Sequence, residues 1–393
     1  MRTNRRASKF VLIAGIVSCF QTLICITATA QPAEGTPAPS NLSQSGYPRI
    51  LPDNRVVFQV RAPNANQVQI NLGRNYDMKR EDSGVWTVTT APQDSGFHYY
   101  SLVIDGVSVS DPASQSFFGT GRMSSAIEIP ESGADFYTIK DVPHGDIRSK
   151  QYFSKVTKSW RRLFVYTPPG YDRDTGRKYP VLYVQHGGGE DETGWAVQGK
   201  TDIILDNLIA EGKAKPMLVV MDNGNLPSAG GARGGYSSAA MAGFADELLN
   251  SIVPFIESNY RVKADAKNRA LAGLSMGGGQ AFYVGLGHKD KFGSVGVFST
   301  GLFGGINNNA GQSFNAEEQM PGILTKAKSF NASLKIFYIS VGEQDPRLNP
   351  TKKAVADFKA HGLNVEFASF PGGHEWQVWR KSLHDFAQRI FKP

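Results

Sequence analysis

The sequence feature that most constrains the fold is the stretch 269–279, which has Ser275 at its centre. Small and apolar residues lead into a Gly-x-Ser-x-Gly turn over 273–277, and a helical pattern follows over 278–286. A serine on such a strained turn between a strand and a helix projects its hydroxyl clear of the sheet. Side chains at the two glycines would collide with neighbouring backbone. The stretch therefore predicts a nucleophilic serine rather than a turn without chemistry.

Alternating strands and helices surround this turn. Continuous apolar strands that alternate with helices indicate a mostly parallel sheet covered on both faces. Together with the turn at Ser275, the pattern predicts an α/β fold of the α/β-hydrolase type. The strands are expected at 162–167, 181–185, 217–221, 293–298, 334–341 and 365–370, and the helices at 201–211, 240–260, 351–361 and 378–391.

A serine hydroxyl needs a base to become nucleophilic, and the base needs a carboxylate to orient it. In this fold the order along the chain is serine, acid, histidine, with the last two on loops after later strands. Of the seven histidines, His374 fits best, because it follows an apolar strand within a glycine-rich turn. The acid is expected in the loop after the strand 334–341. Asp345 is preferred there and Glu343 is the alternative.

Two backbone N–H groups are expected to bind the oxyanion that forms when Ser275 attacks an ester. One belongs to Met276, the residue after the nucleophile. The other is expected from the glycine run after the strand 181–185, with Gly188 preferred and Gly187 second, because glycines let backbone approach the substrate oxygen. His186, which precedes that run, is interpreted as a structural residue.

Residues 1–30 are expected to be a cleaved export signal, because a basic start precedes an apolar run and a small-residue site at 28–30. This segment contains four of the 42 basic residues and none of the 35 acidic ones, so the remaining chain has a charge of 38 − 35 = +3. So small a charge does not suggest a nucleic-acid or membrane partner. Cys19 and Cys25 are removed with the signal, which excludes disulfides and cysteine metal sites from a secreted or periplasmic product.

The rest of the chain is expected to contain two domains. Residues 31–46 are rich in Pro, Ser, Gly and Gln and are interpreted as a linker. Short alternating strands over 47–130, with Asp105-Gly106 as a hairpin turn, predict a small all-β sandwich. A second linker over 131–150 and a catalytic domain over 151–393 follow. If the sandwich is a separate unit, its removal should leave activity on small esters nearly unchanged.

The β-rich segment resembles the immunoglobulin-like early-set domains related to carbohydrate-binding module family 48. The resemblance rests on residues 58–65, Gly84-Val-Trp86, Tyr99-Tyr100 and 109–112. Trp86 or Phe117-Phe118 could stack on sugar rings. Burial within the sandwich or against the next domain is favoured, because aromatic residues of a small β-domain are usually buried.

From residue 161 to 392 the chain resembles carbohydrate esterase family 1, particularly its feruloyl esterase domains. Matching stretches lie at 161–171, 206–212, 257–260, 272–280 and 372–376. The resemblance implies hydrolysis of an ester between an acyl group and a plant cell-wall polysaccharide, without cofactor or metal. A preceding early-set domain is also a familiar arrangement in that family.

The acyl group stays open at this point. Feruloyl esters of arabinoxylan are the preferred substrate, and acetylxylan and enterochelin-type siderophore esters are the alternatives. A non-catalytic glycan-binding protein is the hypothesis from a different functional class. Retention of Ser275, Asp345 and His374 argues against the last of these. Loop aromatics at the expected active-site end are candidates for substrate binding, namely Trp195, Tyr236, Phe303 and Trp376.

Overall fold

The computed structural model of the chain describes residues 1, 35–42, 45–226, 237–305 and 314–392. From Gly35 onward these residues form one compact unit. Two of the sequence predictions fall outside these ranges. They are the export signal, apart from Met1, and the pocket candidate Tyr236.

Antiparallel strands build the N-terminal part, as the alternating pattern predicts. In β3 the residues Val56 and Phe58 are buried in the core, and Val57 between them is more exposed. Asp105 and Gly106 both have positive φ, 48° and 84°, which is the turn that suits the right-handed twist of a two-residue hairpin. The strands are β1 (Thr36–Pro37), β2 (Arg49–Ile50), β3 (Val56–Arg61), β4 (Val68–Leu72), β5 (Arg74–Asp77), β6 (Lys79–Arg80), β7 (Val85–Thr89), β8 (Gly96–Ile104), β9 (Val107–Val109), β10 (Ser116–Gly119) and β11 (Arg122–Ile129).

These strands form two sheets with an apolar core between them. One sheet has the order β1-β2-β3-β7-β6, and the other has the order β10-β11-β8-β4-β5, with β9 paired to β8. Trp86 is buried in this core and donates its indole N–H to the Ala62 carbonyl at 2.9 Å. Phe117 packs edge-on against Phe97, with ring centroids 5.2 Å apart. Neither aromatic ring is placed as an open sugar platform.

An eight-stranded sheet forms the second part and confirms the predicted α/β-hydrolase fold. Its order is β12-β13-β15-β14-β16-β17-β18-β19, and every pair from β15 onward is parallel. The strands are β12 (Asp146–Ser154), β13 (Ser159–Thr167), β14 (Val181–Gln185), β15 (Leu218–Asp222), β16 (Arg269–Leu274), β17 (Ser294–Phe298), β18 (Ile336–Gly342) and β19 (Glu366–Phe370).

Helices cover both faces of this sheet. The helices are α1 (Thr193–Ala196), α2 (Thr201–Ala210), α3 (Ser238–Glu247), α4 (Val253–Asn259), α5 (Met276–Gln280), α6 (Ala316–Gln319), α7 (Ala327–Ser333), α8 (Leu348–Ala360) and α9 (Trp376–Ala387). A π-helical turn, Leu248–Ile252, joins α3 to α4, and another, Ala281–Gly285, follows α5. Within the described ranges, Ala239–Asn259 has the length and hydropathy of a membrane span, but its Phe244, Leu248 and Ile256 are buried in the core.

Two boundaries differ from the sequence prediction. β1 lies inside the segment 31–46 that was expected to be a linker, and β12 begins at Asp146, inside the expected linker 131–150. β12 is an edge strand whose residues are mostly exposed, with Tyr152 and Ser154 as its buried positions. Charged residues on an exposed edge strand weaken the apolar alternation that identifies a strand in a sequence.

A buried arginine joins the two β-containing parts. Arg380 of α9 is fully buried, and its guanidinium pairs with Glu128 of β11. The Arg380 Nε–H also donates to the Gln198 carbonyl at 2.8 Å, and the guanidinium lies 4.7 Å from the centre of the Tyr137 ring. Lys200 approaches the same carboxylate at 3.2 Å. The sandwich and the sheet are therefore held by a desolvated ion pair as well as by apolar contacts.

Replacing Arg380 with methionine is expected to lower the free energy of unfolding by about 3 kcal/mol, because the Glu128 carboxylate loses its main buried partner. Lys200 remains beside that carboxylate and limits the loss. Denaturant unfolding of both proteins measures the difference. Arg389→Met is the control, since its ion pairs with Glu366 and Asp385 are more exposed and are expected to contribute under about 1 kcal/mol. Equal losses in the two variants would contradict the prediction.

Candidate active site

The turn at Ser275 connects β16 to α5 with strained backbone geometry. Ser275 has φ 51° and ψ −113°, and its N–H donates to the Phe298 carbonyl at 2.8 Å. A Cβ atom at Gly277 would lie 2.5 Å from the His186 carbonyl oxygen, so no larger residue fits. The neighbouring strand therefore packs directly against the turn, and the serine side chain is left at the carboxyl edge of the sheet.

Three side chains from three loops form a hydrogen-bonded series at this edge. His374, which follows β19, places its Nε2 3.0 Å from the Ser275 Oγ. Its Nδ1 lies 2.7 Å from Oδ2 of Asp345, which follows β18. Glu343 is exposed instead, and its carboxylate lies 3.4 Å from the Ser369 hydroxyl. The structure thus joins Asp345, and not Glu343, to His374.

Arg347 supports Asp345 from the other side. Its backbone N–H and its Nη1 both donate to Asp345 Oδ1 at 3.0 Å. Burial by itself raises the pKa of Asp345, but the hydrogen bonds from His374 and Arg347 hold that pKa below its usual value. The carboxylate consequently stays ionised beside the imidazole. The sequence pattern gives no sign of this role for Arg347, although the residue stands only two positions after the predicted acid.

The glycine loop after β14 lies on the other side of Ser275. The Gly187 N–H donates to the Glu190 carboxylate at 3.1 Å, so the second-choice oxyanion donor is already engaged. Gly188 lines the cavity beside Ser275. Met276 occupies the first turn of α5, where backbone N–H groups have no acceptor within the helix. Gly188 and Met276 therefore stay the predicted N–H donors to an oxyanion, with Gly188 still ahead of Gly187.

His186 orients the peptide that contains the Gly188 N–H. The Gly224 backbone N–H donates to His186 Nε2 at 3.1 Å, so the ring proton is on Nδ1 and is donated to the Gly187 carbonyl at 2.8 Å. Burial lowers the pKa of His186, which keeps the ring neutral. Because a peptide unit is planar and trans, fixing the Gly187 carbonyl also fixes the opposite direction of the Gly188 N–H. His186, interpreted from the sequence as structural, thus fixes the orientation of the Gly187–Gly188 peptide beside the site.

A cavity of about 200 Å³ opens beside Ser275 and His374. The sandwich supplies part of its wall, since Phe97 and Tyr99 come from β8 and Thr120 from the turn after β10. That turn is tied to the glycine loop by the Gly121 N–H, which donates to the Gly189 carbonyl at 2.7 Å. The other lining residues are Gly187, Gly188, Glu190, Leu274, Glu375, Trp376 and Trp379. Removing the sandwich would therefore open the cavity, which argues against the expectation that activity would survive its loss.

The four aromatic residues predicted to bind substrate occupy different positions in the structure. Trp376 lines the cavity. Trp195 lies behind it, with ring centroids 5.4 Å apart, and donates its indole N–H to the Gln185 carbonyl. Phe303 is a core residue, packed against Phe282 and Phe314 at 5.8 and 4.9 Å. Tyr236 lies outside the described residues.

Glu190 is a buried carboxyl group on the cavity wall that is not among the residues predicted from the sequence. The Tyr99 hydroxyl accepts N–H bonds from Gln198 at 2.9 Å and from Trp376 at 3.3 Å, so its own proton points to Glu190 at 3.5 Å. Burial raises the pKa of Glu190 to about 7. The cavity therefore contains a titratable group close to the glycine loop. Its position after a glycine run offers no signal that separates it from an exposed loop acid.

A second buried carboxyl group lies at the end of β15, behind the glycine loop. Asp222 accepts a hydrogen bond from Gln185 at 2.7 Å, and burial raises its pKa to about 7. Because Asp222 holds its proton more tightly in the folded chain, its stabilising contribution is complete below the ordinary aspartate pKa and is lost as the pH rises through about 7.

Asp222→Asn is therefore expected to reduce the fall in Tm between about pH 5 and pH 8, because an amide cannot ionise in this site. Thermal unfolding of the variant and the wild type across that range measures the change. Asp290→Asn, at an exposed carboxylate, is the control. Parallel Tm curves for wild type and Asp222→Asn would contradict the assignment.

Comparisons with known proteins place the chain among esterases. The family model described as "Putative esterase" matches residues 154–390. The chain is 37% identical over 373 residues to an endo-1,4-beta-xylanase/feruloyl esterase of Xylanibacter ruminicola, covering 91% of this chain and 47% of the relative. It is 31% identical over 193 residues to endo-1,4-beta-xylanase Y of Acetivibrio thermocellus, covering 46% and 16%. The chain thus spans about half, or less, of the length of these curated relatives.

Solved structures show the same fold. A CE1 ferulic acid esterase from Anaeromyces mucronatus, in complex with ferulic acid, is 25% identical with a TM-score of 0.54, over 66% of this chain and 95% of that chain. Another ferulic acid esterase is 28% identical with a TM-score of 0.54, over 63% and 99%. An enterochelin esterase from Shigella flexneri is 19% identical with a TM-score of 0.64, over 88% and 95%, a likeness of fold alone.

Proposed function

Because this chain belongs to the esterase family whose model spans residues 154–390, we propose that it is a serine esterase that releases feruloyl groups from plant cell-wall arabinoxylan. The observation that carries the proposal is the series Ser275–His374–Asp345 at 3.0 and 2.7 Å, opening into an aromatic-walled cavity. The names of the relatives support both parts of the proposed substrate. Feruloyl esterase agrees with the acyl group, and xylanase agrees with the polysaccharide.

The geometry supports a two-step acyl transfer. His374 Nε2 takes the proton of the Ser275 hydroxyl as its oxygen attacks the ester carbonyl, and the N–H groups of Met276 and Gly188 bind the resulting oxyanion. The same Nε2 then gives its proton to the departing sugar oxygen, which leaves an acyl-serine. Water, activated by His374, hydrolyses that acyl-serine and returns Ser275 to its starting state. Asp345 holds the Nδ1–H tautomer and stabilises the imidazolium in both steps.

An aromatic acyl group suits the cavity better than an acetyl group does. Phe97, Tyr99, Trp376 and Trp379 contribute ring surface to its wall, and Leu274 adds an aliphatic side chain. Flat apolar walls favour a flat conjugated ring through offset or edge contacts. An acetyl group would leave most of that surface without a partner. These contacts therefore support a hydroxycinnamoyl ester ahead of acetylxylan.

A siderophore ester is the second candidate, because the fold likeness to enterochelin esterase extends over 88% of this chain and so includes the sandwich. Its acyl group, a 2,3-dihydroxybenzoyl-substituted serine, also carries an aromatic ring. The expected export signal over 1–30 favours the cell-wall substrate, since a secreted or periplasmic enzyme meets plant polysaccharide directly. Fractionation of cells that express the full chain tests this expected location.

Initial rates on three substrates test the function. The purified chain is assayed with methyl ferulate, acetylated xylan and a cyclic triester of 2,3-dihydroxybenzoylserine, each with Ser275→Ala as the blank. We expect the highest kcat/KM with methyl ferulate and release of ferulate from arabinoxylan. A higher kcat/KM on the triester would replace the proposed substrate, and no hydrolysis of any ester would overturn the esterase assignment for this chain.

A further inference from the structure

Two exposed aromatic side chains lie side by side on the hairpin between β12 and β13. Phe153 and Trp160 are opposite each other in the strand register, and their ring centroids are 5.8 Å apart. Trp160 is 70% exposed and Phe153 is 48% exposed. In the part of the chain that the structure describes, they are the large aromatic residues left exposed. An exposed aromatic pair on a soluble domain is a signature of a binding surface.

This pair lies at the same edge of the sheet as Ser275. β13 runs antiparallel to β15, and Leu163 is paired with Asp222, the last residue of β15. Trp160 therefore extends beyond the carboxyl end of β15, where the catalytic loops also emerge. An extended ligand bound near Ser275 could reach the hairpin along this edge.

A polar groove of about 250 Å³ lies between the hairpin and the glycine loop. The loop 186–192 separates it from the catalytic cavity, because Gly188 and Glu190 line the cavity and Glu192 lines the groove. The groove residues offer hydroxyl, amide, guanidinium and carboxylate groups, and they are Thr157, Ser159, Arg161, Arg162, Glu192, Asn223 and Asn225.

The charges in this groove are matched. Arg162 Nε lies 2.6 Å from a Glu192 oxygen. Arg161 donates to the Asn225 carbonyl at 3.0 Å, and its Nε is 3.7 Å from the Glu247 carboxylate. Among the described residues that line the groove, both arginines are thus paired, so the groove itself presents no uncompensated cation to a phosphate and does not favour nucleic acid. Hydrogen-bonding groups on the same hairpin as the two exposed rings instead suit a neutral, polyhydroxylated ligand.

We propose that Phe153, Trp160 and the polar groove bind the sugar chain of the polysaccharide whose ester group is at Ser275. Ring faces pack against the C–H faces of the sugars, while Arg162 and the asparagine amides of the groove bind their hydroxyls. One N–H of each amide already donates within the chain, from Asn223 to Glu192 and from Asn225 to the Glu190 carbonyl, so the second N–H of each is the one offered to the sugar. This proposal rests on the proposed function for the identity of the polysaccharide, a neutral arabinoxylan. It goes beyond that function by assigning polymer binding to a surface of the α/β part rather than to the N-terminal sandwich.

The test compares a polymer with a small ester. The double variant Phe153→Ala/Trp160→Ala is assayed for kcat/KM on feruloylated arabinoxylan and on methyl ferulate. We expect a loss of about tenfold on the polymer, because the ring contacts of Phe153 and Trp160 with the sugars are removed, and no change on methyl ferulate. Ile139→Ala is the control, because Ile139 is an equally exposed apolar residue, at 71%, on another surface.

A binding measurement separates this proposal from the catalytic one. Ser275→Ala with and without the two aromatic substitutions is run through gels containing de-esterified arabinoxylan, which requires no hydrolysis. Retardation that depends on Phe153 and Trp160 supports the site even if ferulate is not the acyl group. Equal retardation, equal losses on polymer and small ester, or a wild-type dimer that the substitutions dissociate in light scattering would each overturn the proposal.

Discussion

Ser275→Ala is expected to lower kcat for ester hydrolysis by about 10⁶-fold, because the hydroxyl is the atom that becomes acylated. The backbone of the turn does not depend on that hydroxyl, since the Ser275 N–H donates to the Phe298 carbonyl and the tight contact at the turn involves Gly277. Alanine can also occupy the same positive φ as serine at a similar cost. The circular dichroism spectrum and Tm should therefore match those of the wild type.

Steady-state rates on methyl ferulate, measured with both proteins at equal concentration, check this expectation. Ser333→Ala on α7 is a control, because the Ser333 hydroxyl bonds to the Ser329 carbonyl of its own helix. A variant that folds normally and keeps more than a small part of the activity would show that the nucleophile lies elsewhere. If the Ser275→Ala protein does not fold, Asp345→Asn tests the same hydrogen-bonded series of Ser275, His374 and Asp345.

Asp345→Asn is expected to lower kcat by about 10³–10⁴-fold. The carboxylate accepts the His374 Nδ1–H at 2.7 Å, which leaves Nε2 without a proton and facing Ser275. An amide can turn its NH₂ group towards Nδ1 and so favour the tautomer that cannot accept the serine proton. It also removes the negative charge that stabilises the imidazolium.

Glu343→Gln is the matched control for this change, because it makes the same chemical substitution two residues away on the same loop. Glu343 is exposed and contacts Ser369 at 3.4 Å, so a loss of less than about threefold is expected. Both variants are measured on one ester at several pH values. A larger loss in Glu343→Gln would transfer the role of the acid to Glu343.

Local patterns were sufficient for the fold and for the candidate nucleophile and base. The Gly-x-Ser-x-Gly turn is readable because strand, turn and helix are contiguous, so their geometry depends on neighbours in sequence. The apolar runs of β14 to β18 are readable for a similar reason, since burial on both faces produces continuous apolar stretches. His374 is predictable for a related reason, because it is a histidine in the loop after the last strand of the sheet.

Tertiary structure decided which groups meet. Asp345 and Glu343 share one loop, and spacing of two residues does not determine which side chain turns towards His374. The structure resolves this through Arg347, which holds Asp345 inward. Gly187 and Gly188 are likewise adjacent and chemically identical, and the Glu190 carboxylate engages the N–H of Gly187 alone.

The cavity wall shows the largest gap between sequence and structure. Phe97 and Tyr99 reach Ser275 from a strand more than 170 residues earlier in the chain, and no periodicity connects such distant segments. Phe303 had the same loop context as a cavity residue but is buried in the core. An aromatic residue gains a similar free energy from burial in a core or against a ligand wall, so its type does not reveal its place. The sequence by itself determined the α/β-hydrolase framework and pointed to Ser275 and His374, whereas the packing of distant segments decided which carboxylate contacts His374, which glycine N–H is engaged by Glu190 and what shape the cavity has.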